Sequence, residues 1–139
     1  MSGRFPVIAR NPALVYQGQA VHTADGPHLL IMICERIAAD LARAETAIEQ
    51  VDYATCDENL QHAQRSVRLL RVALEPDGFP CGRELESMYA FIELHLVRAN
   101  LEKSVVLVRE CADLFHPIHE AWRRAVTVTE QSGDATHVG

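Results

Sequence analysis

An all-α fold is predicted here: an antiparallel up-down four-helix bundle with an irregular N-terminal arm. Three observations lead to it. Apolar residues recur at spacings of three and four in four separate stretches, the period of a helix with one buried face. Aliphatic residues and alanine dominate the apolar share while aromatics are only 6%, which favours helix over sheet. Proline and glycine gather near the two ends and in one central stretch, where they separate the periodic segments. A chain of 139 residues fits one domain with its own core. The organisation that follows is an arm over residues 1–26, a bundle over 27–126 and a flexible C-terminal tail over 127–139.

The arm is punctuated by Pro6, Pro12, Gly18 and Gly26, yet it carries Phe5, Val7, Ile8, Leu14, Val15, Tyr16 and Val21. That is more apolar than a disordered tail, so the arm is expected to dock on the body. The first helix starts near Pro27, because proline suits the first helical position, where an N–H has no partner anyway. Its stripe is Leu30, Ile33, Ile37, Leu41, Ala44, Ile48 and Val51, with Asp40, Arg43 and Glu49 largely outside it. A break is expected over Asp52 to Ala54, followed by a Thr55–Glu58 capping box and a second stripe of Leu60, Ala63, Val67, Leu70 and Leu74. The segment from Glu75 to Gly82 reads as a loop. The third helix, about Arg83 to Leu101, carries Leu85, Met88, Ile92, Leu96 and Ala99. Ser104 can cap a fourth helix, with Val108, Cys111, Phe115, Ile118 and Trp122 on one side. Pro117 lies inside that pattern and either kinks the helix or breaks it.

A net charge of −6 is poorly suited to gripping a phosphate backbone, so nucleic acid is not an expected partner. No apolar run is long enough to span a bilayer, and Met1 to Arg10 lacks the apolar segment of a signal peptide. The expectation is a cytosolic protein without membrane insertion. Cys34, Cys56, Cys81 and Cys111 are widely spread, form no CxxC pair and read as reduced thiols packed as small apolar groups.

Reaction motifs are missing: no glycine-rich phosphate loop, GxSxG elbow or HExxH helix occurs. His116 and His119 could share a helical face, but a metal site needs three or four ligands, and Glu58, Glu93 and Glu110 have no histidine three residues on. Neither a metal nor another cofactor is expected. Arg65, Arg68 and Arg71 form a cationic row that reads as a solvated face, still open to a partner carrying acidic residues. Tyr16 admits two readings, a staple pinning the arm to the bundle or a contact for a partner. The chain therefore reads as a binding module and not as an enzyme.

In order, these features resemble the flagellar secretion chaperone (FliS) family. Its N-terminal pattern is matched by Tyr16, Val21, Thr23, Ala24 and Leu29, then by Ile33-Cys34-Glu35 at two of three positions and by an alanine-rich run from Ala38 to Ala44. Ala63-Gln64, Val67 and Leu70 match its second helix. Leu85, Tyr89, Phe91, Leu96, Ala99 and Asn100 match the third, and Trp122 matches the tryptophan near the end of the fourth. The departures are Pro27, one residue later than in the family, Cys34 in place of a tyrosine, and Pro117.

The resemblance implies a chaperone that binds the C-terminal segment of flagellin in the cytosol, prevents premature polymerisation and serves type III flagellar secretion, with the flagellar export apparatus as a further partner. The other reading is a helical-bundle adaptor or regulatory protein for some different amphipathic segment. Monomer and homodimer remain equally open. The residues expected to meet a partner are Tyr16, Val21, Leu29, Ala99 and Asn100 from the motif positions. Phe91, Leu94, Val106, Leu107 and Leu114 join them as apolar residues in excess of one core stripe.

Overall fold

The computed structural model describes Tyr16, residues 26–78 and residues 80–138, with side chains described up to residue 128. Four helices form the body among these residues: α1 Gly26–Glu49, α2 Tyr53–Ala73, α3 Gly82–Glu102 and α4 Val105–Val138. A short 3-10 turn, Pro76–Gly78, precedes α3. Tight connections make successive helices antiparallel, and each helix packs on its two neighbours in the ring α1–α2–α3–α4. The α3–α4 seam is the least extensive of the four. The helix α4 continues through Pro117 without a break, and its backbone stays helical to Val138, past the point where the sequence marks a tail.

The connections explain the tightness. At the end of α1, Val51 N–H bonds Ile48 C=O and Asp52 N–H bonds Ala47 C=O, a Schellman closure with Val51 at φ 59°. A related closure ends α3, with Lys103 at φ 50° and the N–H groups of both Lys103 and Ser104 on Ala99 C=O. Neither position is glycine, so both residues bear the left-handed backbone that L side chains disfavour. Asp52, not Thr55, caps α2: its carboxylate accepts the Thr55 backbone N–H at 3.2 Å and the Thr55 hydroxyl at 2.7 Å. Those two bonds hold the Asp52 carboxyl below its usual pKa. The break therefore lies at Gln50 to Asp52, earlier than the sequence suggested, because aspartate caps as well as threonine and lets one residue end α1 and start α2. Ser104 caps α4 as expected, its Oγ accepting the Leu107 N–H at 3.1 Å. Gly82 opens α3 against the 3-10 turn, where a Cβ would sit 1.8 Å from the Pro76 carbonyl oxygen.

The four stripes meet in one core. Ile37, Leu41, Val67, Leu70, Ile92, Leu96, Phe115 and Trp122 are all buried, and Ile33 is half-buried at its margin while its neighbour Cys34 occupies the interior. Asp40, read as lying outside the stripe, is fully buried. It faces α2, where His62 Nδ1 lies 2.5 Å from its Oδ2, and Arg36 Nε bonds its Oδ1 at 3.2 Å. Each seam has such a cross-helix polar link. Arg71 pairs with Glu93 across α2 and α3, His95 Nε2 meets Glu110 Oε1 at 2.8 Å across α3 and α4, and Arg109 meets Glu45 at 2.7 Å across α4 and α1. Pairs of this kind add little energy where exposed, but they discriminate against slipped registers of the apolar stripes.

Tyr16 is anchored in this body, while the rest of the arm before Gly26 lies outside the described residues. Its backbone forms an isolated antiparallel bridge with Leu74, and its side chain is fully buried. The Tyr16 ring meets the Trp122 indole edge-on, with centroids 5.4 Å apart. Its hydroxyl lies 2.7 Å from the Tyr89 hydroxyl, which also accepts the Trp122 Nε1–H at 3.0 Å. Burial, then the neighbouring Tyr89, raises the Tyr16 pKa, and burial likewise raises that of Tyr89, so both phenols stay neutral at physiological pH. Tyr16→Phe removes one buried hydrogen bond while keeping the ring, and should cost about 1–2 kcal/mol in denaturant unfolding. An unchanged midpoint would show that the hydroxyl pair contributes nothing.

Candidate partner-binding face

The interior side of α3 is complete. Leu85, Tyr89, Ile92, Leu96 and Ala99 fall on one face at spacings of three and four, and all five are buried. Residues two positions off that stripe must point away, and here they are apolar. Leu94 is 72% exposed, Leu101 80% and Phe91 53%, with Val97 beside them. The Phe91 ring stacks on His95 at 5.4 Å, and His95 in turn holds Glu110 on α4, so this aromatic is positioned at the α3–α4 seam. Val106, at the start of α4, adds a further 62%-exposed apolar side chain. Met88 and Leu114 are half-buried and pack on the core from α3 and α4. A helix needs only one apolar stripe to join a bundle, so the outer side of α3 is in excess of what the fold requires.

The expected partner-binding residues divide accordingly. Phe91, Leu94 and Val106 are exposed, and Leu29 and Leu114 are half-buried. Tyr16, Ala99 and Leu107 are buried, so they shape the body from inside. Asn100 is half-buried and engaged within the fold: its Nδ2 donates to Asp57 Oδ1 at 2.7 Å, and its backbone carbonyl accepts from Lys103 Nζ at 2.8 Å. It joins the C-terminal end of α3 to the first turns of α2. Val21 lies outside the described residues. The sequence reading missed Leu101 and Val97. Their signal was available, since counting by three and four from Leu94 reaches Val97 and Leu101 on the side opposite Leu96.

The buried titratable groups behind this face are held in their neutral forms. Burial pushes the thiols of Cys34 and Cys111 up to about 12 and raises Cys56 as well, so these three stay protonated and are poor nucleophiles at neutral pH. His119 is lowered by burial and then by the nearby Arg123 guanidinium, which keeps its ring neutral. Among the described residues, no three His, Cys, Asp or Glu side chains converge as a metal site would require, and no helix is long and apolar enough to cross a membrane.

Leu94→Ser combined with Leu101→Ser should leave unfolding free energy within about 0.5 kcal/mol of the parent, because surface positions outside the packing contribute little. A loss near the 2–5 kcal/mol typical of core truncation would place these residues in the fold's own packing instead.

A relative from Bacillus subtilis (strain 168), named flagellar secretion chaperone FliS, is 26% identical over 117 residues, covering 84% of this chain and 87% of the relative. The profile of the family described as "Flagellar protein FliS" matches residues 9–129, which takes in all four core stripes, Tyr16 and the outer side of α3; the chain belongs to the FliS family.

Proposed function

We propose that this protein is a flagellar export chaperone: it binds the C-terminal segment of flagellin in the cytosol, prevents premature polymerisation and hands the subunit to the type III flagellar export apparatus. Family membership and the name of the Bacillus relative support the chaperone role. The observation that carries the binding mode is the outward apolar side of α3, with Leu94 and Leu101 exposed on a helix whose inward stripe is already filled.

The mechanism is desolvation. A segment that must later pack inside a filament carries apolar stripes, and free in the cytosol those stripes would find one another. Laid as helices against Phe91, Leu94, Val97 and Leu101, they are removed from water, as in other helix-in-groove complexes. Ordering the segment consumes part of the interaction energy, so the buried surface must be large and the complex reversible. No bond is made or broken, and the chain acts as a binder and not as an enzyme.

Titration calorimetry with the flagellin segment, at several temperatures and two salt concentrations, tests the reading. Binding with a negative heat-capacity change and a modest loss of affinity in salt is expected. No binding at tens of micromolar, about −6 kcal/mol, would reject the flagellin reading. Tight binding to unrelated amphipathic segments alone would favour the adaptor reading.

A further inference from the structure

Beside the outer side of α3 runs the groove between α2 and α3, lined by Gln61, Gln64, Arg65, Arg68, Asn100 and Leu101, with the carboxylates of Asp57 and Glu93 at its walls. Both carboxylates are engaged. Asp57 accepts from Gln61 at 2.8 Å and from Asn100 at 2.7 Å, and Glu93 is paired with Arg71. Arg65 and Arg68 are exposed and meet no carboxylate among the described residues, although the chain as a whole carries a charge of −6. The groove thus presents two guanidiniums with no ion-pair partner among the described residues, beside amides and the amide-bonded carboxylate of Asp57, at the edge of an apolar strip. Leu101 belongs to both surfaces. Arg65 and Arg68 are one helical turn apart, so acidic residues spaced three or four apart on a facing helix would meet both at once.

The geometry points to a specificity element: the client helix that lies along α3 carries an acidic edge, and that edge pairs with Arg65 and Arg68 to fix the helix's rotation and direction in the site. This rests on the flagellin reading above, and it adds the charge pattern the segment must have. Guanidiniums at the rim of an apolar contact act mainly by setting register and excluding wrong orientations. Nucleic acid fits the same arginines poorly, since the groove offers no aromatic for base stacking.

The test uses the full chain and two probes, the flagellin C-terminal segment and the same segment with its Asp and Glu replaced by Asn and Gln. Arg65→Gln with Arg68→Gln should weaken binding of the unmodified segment about three- to tenfold at low salt, on the scale of two exposed ion pairs, and flatten its salt dependence. The amide-substituted segment should bind the parent and the double variant alike. Arg65→Glu with Arg68→Glu should weaken binding further and recover when the segment's acidic residues are changed to Lys. Circular dichroism confirms that each variant folds. Equal affinity and equal salt dependence for parent and double glutamine variant would overturn the inference while leaving the flagellin reading intact. Failure of the parent chain to bind either segment would remove both. Binding of a single-stranded RNA oligonucleotide that the glutamine variant abolishes would reassign the arginines and overturn it too.

Discussion

The Tyr89 hydroxyl receives the Trp122 indole N–H and shares a second hydrogen bond with the Tyr16 hydroxyl, and three separate stretches of chain meet at that one oxygen. The pair of helices it joins, α3 and α4, has the thinnest packing in the ring. An aromatic cluster with its polar atoms satisfied does there what longer rows of aliphatic contacts do at the other seams. Without Tyr16 the two remaining groups would border a hole the size of a phenol ring, facing the end of α2. The position of α3, and with it the presentation of its outer side, depends on this junction.

A helix held in that way can afford a second apolar side. Phe91, Leu94, Val97 and Leu101 contribute nothing to the core that Leu85, Tyr89, Ile92, Leu96 and Ala99 already fill. They expose hydrocarbon to water, a cost that the proposed client would recover by covering them. The flanking α2–α3 groove has the opposite character, polar and lined by both arginines and carboxylates, and the two surfaces meet at Leu101, where the proposed client helix would be gripped by apolar contact and oriented by charge.

The bundle was legible because its signal is local. Of the residues that spacings of three and four placed on the four stripes, Ile33, Ile48 and Met88 are half-buried at the margin of the core, Val51 is exposed just past the end of α1, and all the others are buried. What was not legible depends on distant partners. Asp40 looks like a surface carboxylate until His62, a whole helix later, is placed against it. Tyr16 looks equally like a staple or a contact until Tyr89 supplies the partner for its hydroxyl. Counting apolar residues in excess of one stripe nominated Phe91, Leu94 and Val106, which are exposed, together with the half-buried Leu114 and the buried Leu107, because a surplus has no direction until the helical phase is fixed. Ala99 and Asn100 were nominated from a motif whose positions here serve the fold, one inside the core and one bonded to Asp57 and Lys103.

The central claim is that the outer side of α3 is where the client is held. Methyl-resolved NMR of the chain, titrated with the flagellin C-terminal segment, addresses it residue by residue. The account predicts that methyl signals of Leu94, Val97 and Leu101 shift or broaden strongly while those of Leu85, Leu60 and Val67 in the core move little. Large changes at the core methyls with Leu94 and Leu101 unmoved would contradict it.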